Sequence, residues 1–411
     1  MNRLVLLYPF FFIIFYLATN RRYRKDIQFL SIFLLFFLSS IASVYLAFNV
    51  SPYCDKNYYG IIPIVFHCCM FGMILKAAEK LTYFGKKRII SINPVILKIV
   101  TCIVIGIGIP SFFIIIKDIS FGMLHDDAVQ IRANLDSNDN YYPFYIRYML
   151  FMAKSYWVLA LALMYYYICT SPKKIVTILL LLVCSLNTVV SYLSSAGRGA
   201  IIYYILTFIM LYLLVRRNIP QGSAKFIKLF FISLFGVLIA AFAVISFARF
   251  SLENSFYTGN HEGVIGSSVR YFGIGFCNFP QEFDAFWINS PGGGRLTFPF
   301  FVGESVSHLN VDNWVHVTFD LNTFATSVGS FVFDVGALPT VIIYCIFLFF
   351  VTYVSKRKLD LFTLFYAGWM YSYIVESVFY FSDIFNGARI LSLLLIFFLD
   401  IQNRSLKTKN I

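Results

Sequence analysis

Charge is scarce in this 411-residue chain. Only 13% of its residues are Asp, Glu, Lys or Arg, about half of the roughly 25% usual in a soluble domain, while 59% are hydrophobic. That balance excludes an ordinary water-soluble enzyme. No Walker loop, G-x-S-x-G elbow or dinucleotide fingerprint occurs, which argues against an ATP-driven pump and a serine hydrolase. The eight cysteines show no metal-ligand spacing. Cys102, Cys169, Cys184 and Cys345 fall inside apolar runs, Cys68 and Cys69 are adjacent in another, and Cys54 and Cys277 fall in expected loops. No internal repeat and no low-complexity tract is visible.

Apolar runs of about 20 residues, long enough to cross a bilayer, recur from end to end. A β-barrel would show short alternating segments instead. The sequence therefore predicts an all-α polytopic membrane protein of about eleven transmembrane helices (ten to twelve), at 3–19, 27–50, 60–79, 94–117, 144–170, 175–193, 200–215, 226–246, 323–354, 360–379 and 385–401. The first run, "RLVLLYPFFFIIFYLAT", has no small-residue cleavage site and reads as a retained helix. The stretch 323–354 is long enough for a loop-facing half-helix followed by a full span. Organisation follows as helices over 1–246, one large loop over 247–322, and helices with a tail over 323–411.

The connections alternate in character. "RRYRK", "KLTYFGKKR", "SPKK", "RRNIPQGSAK", "SKRK" and the tail "NRSLKTK" are short and basic, which places them and the C-terminus in the cytoplasm. The net charge of +13 is explained by this bias, and no nucleic-acid partner is implied. Topology alone does not explain the other side. Arg3, Arg132, Arg147, Arg198, Arg249, Arg270, Arg295 and Arg389 lie outside or near outer ends, with only Lys56, Lys117 and Lys154 beside them. Orientation is served equally by lysine, whereas arginine grips phosphate or carboxylate with a planar fork. Pairing with outer carboxylates such as Asp126, Asp127, Glu282 and Asp284 is the competing account for any one of them.

Arg198 stands in "SSAGRGA", between Gly197 and Gly199 and just before a helix start. The glycines let a ligand approach the backbone, and a helix N-terminus favours anions, so a phosphate is a sensible guest. An interfacial arginine reaching lipid headgroups is the alternative. Lys154 is expected about a third of the way into the span 144–170, with Arg147 two turns earlier on the same face. Charge at that depth faces a bundle interior or a water-filled cavity.

The outer stretch 247–322 carries many aromatics interleaved with Asp, Glu, Asn and Gln, a mixture that suits sugar rings or a cap on the membrane surface. Glu304, His308, Asp312, His316 and Asp320 recur every four residues and would line one helix face. His308 and His316 are eight apart, unlike H-E-x-x-H, so no metal and no other cofactor is assigned. A general base, His308 or His316, fits better, beside the bland reading of a solvated amphipathic helix.

Three features together resemble the bacterial O-antigen or oligosaccharide repeat-unit polymerases of the Wzy type. They are the "SSAGRGA" turn, one large outer loop entered through "FARF", and "NTFATSVGSFVFDVGALP" from Asn322 to Pro339 at its exit. The arginine-x10-glycine pattern of some members is absent at Arg198, Arg249, Arg270 and Arg295. The resemblance implies a glycosyltransferase of the bacterial inner membrane that acts at the periplasmic face. Its substrate would be an undecaprenyl-pyrophosphate-linked oligosaccharide amid membrane lipids, and the family leaves room for a chain-length regulator protein. Arg198 and Arg249 would hold the pyrophosphate, supported by Arg270, Arg295, Arg147 and Lys154; His308 or His316 would serve as base, and Asn322 and Asp334 would shape the site. A ligase joining finished polysaccharide to lipid would share these features. A flippase is less consistent with one dominant loop and no half-to-half repeat.

Overall fold

The computed structural model describes residues 3–49, 60–118, 142–194, 199–222, 227–229, 231–234, 236–240, 243, 269, 272–280, 283, 326–378 and 387–409. Among the described residues there is no strand beyond an isolated bridge between Ile89 and Leu359. In chain order the helices are α1 (Leu7–Ala18), α2 (Ile27–Asn49), α3 (Ile61–Leu81), α4 (Pro94–Asp118), α5 (Phe144–Ser155), α6 (Trp157–Thr170) and α7 (Ile175–Ser185). They continue as α8 (Asn187–Ser194), α9 (Gly199–Val215), α10 (Ser327–Val335), α11 (Ala337–Lys356), α12 (Leu361–Glu376) and α13 (Gly387–Lys409).

Six of the described helical stretches are long and apolar enough to cross a membrane, and the bent pair α5 and α6 makes a seventh. Their outward faces are apolar: Phe113 is 63% exposed and Phe349 is 75% exposed, surfaces that suit lipid and not water. This is an all-α membrane protein. Four further spans are expected from the sequence and are not among the seven. Leu4–Ala18 and Leu361–Glu376 fall below 18 residues. The stretch 226–246 lies partly outside the described residues, and 385–401 begins outside them. The expected span 323–354 divides at Gly336, whose φ of 86° and ψ of 172° only glycine adopts readily. A short helix, α10, is thus set off from the full span α11.

The chain forms two compact units. The first comprises 1–84, 265–357 and 373–387. Here α1 packs on α2 and α3, and α3 lies along α11, which in turn carries α10. Residues 272–280, within the stretch read from sequence as a loop, are helical and buried except for half-buried Phe272. Gly273 explains how they come so close to α2: a Cβ there would lie 2.5 Å from the Ala42 carbonyl carbon and the Ser43 nitrogen. The Cys277 thiol donates to the Ser43 carbonyl at 3.3 Å.

The second unit comprises 85–264, 358–372 and 388–411. Helix α4 packs on α5, α7 and α8, and α6 packs on α7 and α9. At one end the chain is tied into a knot by side-chain hydrogen bonds. The Ile89 amide donates to Asn218 Oδ1 at 3.1 Å, and Asn218 Nδ2 donates to the Lys87 carbonyl at 3.0 Å. The Ile90 amide donates to the Leu359 carbonyl at 2.8 Å. The Asn93 amide donates to Asn403 Oδ1 at 3.1 Å, and the Ile92 amide to the Tyr166 hydroxyl at 3.0 Å. Connections read as basic and same-sided thus meet in space: those around Lys87, Asn218 and Leu359, the tail at Asn403, and the end of α6 that leads to "SPKK".

Single cysteines at Lys173, Arg217 and Lys358, in a chain otherwise cleared of cysteine, are expected to behave alike toward an impermeant maleimide in sealed, uniformly oriented vesicles. If one of them labels from the opposite face to the other two, the shared-side arrangement is wrong.

Candidate functional site

In the first unit, polar side chains gather where the chain enters α10. Thr326 has an extended backbone and its hydroxyl accepts from the Gly329 amide at 3.3 Å, an N-cap that satisfies one of the open amides at a helix start. The Ser327 amide donates to the Ser377 carbonyl at 3.0 Å. The Ser327 hydroxyl meets the Tyr344 hydroxyl at 2.8 Å, and Tyr344 is hydrogen-bonded in turn to Tyr373. Every residue of α10 from Ser327 to Asp334 is buried. Its length of nine residues is about 13 Å, too short to cross a bilayer.

His67, on α3, completes this cluster. It is fully buried, with Nδ1 2.9 Å from the Tyr8 hydroxyl and Nε2 2.9 Å from the Thr326 hydroxyl. Its ring stacks on Phe279, centroids 3.9 Å apart and planes at 17°, and also contacts Phe71 and Phe276. In a neutral imidazole one nitrogen donates and the other accepts, so one hydroxyl accepts from the ring and the other donates to it. With both nitrogens taken and its faces covered, this ring is a fixed node.

The residues singled out from sequence divide into those described and those not. Arg198, Arg249, Arg270, Arg295, His308, His316 and Asn322 lie outside the described residues. Asp334 lies on α10 in the first unit with 0% exposure. Arg147 and Lys154 share α5 in the second unit, both exposed. Phe144, Tyr148 and Phe151 are exposed at helical spacing between and beside them, so α5 presents a stripe of aromatics and two cations.

The expected span 144–170 is not one straight helix. The span 144–170 bends by 54° at Tyr156, so Lys154 sits in the last turn of a separate helix, where a cation complements the helix dipole. The two pieces, of 12 and 14 residues, are about 18 and 21 Å long, so neither crosses alone.

Sequence reasoning passed over His67, Tyr8 and the Ser327–Tyr344–Tyr373 chain. One signal was available, since a histidine inside an apolar span is a functional-site candidate by default. The hydroxyls gave none. Comparisons with protein-family models, curated proteins and solved structures find no match.

Replacing Tyr344 with Phe, or Ser327 with Ala, strands the partner hydroxyl in a dry interior and is expected to cost about 1–3 kcal/mol each. Because the two share one bond, the double replacement should cost clearly less than the sum. Thermal unfolding in detergent measures this, and strict additivity would contradict the contact.

Proposed function

We propose that this protein is a glycosyltransferase that polymerises polyprenyl-pyrophosphate-linked oligosaccharide repeat units at the outer face of a bacterial inner membrane. The observation that carries the reading is the arginine bias of the outer connections in a chain with no nucleotide-binding motif. Transfer of a lipid-linked sugar uses no nucleotide. An acceptor hydroxyl attacks the anomeric carbon, the bond from that carbon to the pyrophosphate oxygen breaks, and the polyprenyl pyrophosphate departs with its negative charge. The hydroxyl proton passes to a base. Arginines stabilise the departing charge without a metal.

In this reading Arg198 and Arg249 hold the pyrophosphate, with Arg270 or Arg295 in support. Arg147 and Lys154 attract the lipid phosphate from the exposed stripe of α5, where the aromatics lie against the prenyl chain. His308 or His316 takes the proton. Two structural observations support the arrangement. Helix α9 begins at Gly199, the residue after Arg198, and ends beside the Asn218 knot about 25 Å away. If the knot is cytoplasmic, as its basic neighbours require, α9 opens toward the outer side. The exit segment at Asn322–Pro339 also contains a short helix buried from Ser327 to Asp334, a form suited to shaping a cavity within a membrane protein. Eleven spans, an outer loop over 247–322 and a cytoplasmic C-terminus belong to the same proposal.

The test is deletion of the gene in its own host, with surface polysaccharide run on a gel beside strains complemented with wild type or Arg198→Ala. The expected outcome is loss of the ladder with a single-repeat band retained, reproduced by Arg198→Ala at normal protein level. Loss of every polysaccharide-bearing band would point elsewhere: to a ligase if full-length lipid-linked chains accumulate, or to a flippase if single units do. An unchanged ladder on deletion would end the reading.

A further inference from the structure

We infer that His67 is a positioning residue that sets α10 through its hydrogen bond to Thr326. The argument rests on geometry in the first unit. Thr326 is the first described residue after the long stretch 284–325, and its hydroxyl does two things. It caps α10 by accepting from the Gly329 amide, and it meets His67 Nε2 at 2.9 Å. The bond joins residues 259 apart in sequence. A helix of nine residues has little stability of its own, because nucleation outweighs so few backbone bonds. Its place is set by what holds its ends: the Thr326 hydroxyl and the Ser327 amide at the start, and Gly336 at the finish.

His67 is itself held from the other side. The Tyr8 hydroxyl fixes Nδ1, and the stack on Phe279 fixes the plane of the ring. A serine or asparagine at 67 could not reach both hydroxyls, and a phenylalanine would keep the stack while losing both bonds. The ring thus transmits the positions of α1 and of residues 272–280 to the first turn of α10. Asp334 lies two turns further along the same helix, fully buried, so a rotation at Thr326 moves its carboxylate. The alternative for His67, an open ligand or base, has no room when both nitrogens already meet hydroxyls of the chain.

The experiment separates position from general stability. A cysteine is placed at Ser330, one turn into α10 and buried, and its maleimide labelling rate is followed in detergent-solubilised full-length protein, with the same chain lacking that cysteine as background. His67→Phe, which also loses the Tyr8 bond, and Thr326→Val, which also loses the cap, are each expected to speed labelling by about tenfold or more, since loss of one buried hydrogen bond alone has an effect of that order on a local opening. Thr326→Ser keeps the hydroxyl and should remain within about twofold of wild type, and the His67→Phe/Thr326→Val pair, which share one bond, should open clearly less than the product of the two single effects. Cys184, buried in the second unit, should stay protected throughout.

Unchanged labelling at position 330 would overturn the inference. So would equal opening at Cys184, which would mean general destabilisation, or effects of the two substitutions that add. The polysaccharide ladder read on the same variants should shorten in step with the labelling. That readout alone rests on the proposed reaction. A local opening at position 330 in a protein whose deletion leaves the ladder intact would uphold the role of His67 and remove the polymerase reading.

Discussion

The first unit is organised by one imidazole. A histidine in hydrocarbon is costly unless both nitrogens are met, and here they are met by hydroxyls from two segments distant in sequence, Tyr8 and Thr326. This requirement constrains everything around it. Helix α1 must present Tyr8 to α3, residues 272–280 must bring Phe279 flat against the ring, and α10 must begin where the Thr326 hydroxyl can reach. Residues 272–280 come close enough because Gly273 lets them approach α2 at the Ala42–Ser43 backbone. The aromatic shell of Phe71, Phe276 and Phe279 excludes water from the bonds and so raises the cost of breaking them.

The second unit shows the same economy at its helix breaks. Between α7 and α8 the chain turns at Leu186, and the next residue repairs the break: Asn187 Nδ2 donates to the Cys184 carbonyl at 3.0 Å and to the Gly108 carbonyl at 2.9 Å. That second bond ties α8 to α4, and it requires close approach. A Cβ at position 108 would lie 2.6 Å from Cys184 Sγ. Where lipid offers no hydrogen bonds, a freed backbone carbonyl must find a side chain. The knot around Asn218 does at the end of the bundle what Asn187 does in its middle, with one amide group serving both a carbonyl and an amide of the strand-like passage 87–89.

How much of this could be read in the sequence depends on which physical signal each feature leaves. Hydropathy fixed the class, since runs facing lipid must be apolar along their length. Charge marked connections that the structure brings together at Lys87, Asn218, Leu359 and Asn403. The break at Gly336 was visible as a run too long for one span, whereas the bend at Tyr156 has no proline or glycine to announce it, so 144–170 read as one straight helix. The candidate site was legible only as residue types. Arginine, histidine and aspartate advertise chemistry, and they drew attention to Arg198, Arg249, His308 and Asp334. Hydroxyl bonds carry no such pattern: Tyr8, Thr326, Ser327 and Tyr344 are ordinary membrane-protein residues until the fold aligns them. His67 stood out by its place in an apolar span and was outweighed by four histidines expected in loops.

Helix α12 shows why a hydropathy count and a count of crossings need not agree. Its sixteen residues include three tyrosines, a tryptophan, a serine, a threonine and a glutamate, and every one of them is buried. Gly368 admits Val158 and Leu211 to within 3.0 and 3.2 Å of where its Cβ would stand, so the helix is wrapped by protein side chains. Hydropathy measures what a helix pays to face lipid, and a helix that never faces lipid is released from that demand. Such a helix can be short and polar, as where Tyr373 finds the Tyr344 hydroxyl within the protein. The polar residues of such a helix are the ones least explained by anchoring in the bilayer. Tyr373, in the hydroxyl chain with Tyr344, and Ser377, whose carbonyl holds the Ser327 amide just past the helix end, bring that polarity to the start of α10. Within the first unit, Tyr373 and Ser377 thus support α10 with polar bonds that lipid could not supply.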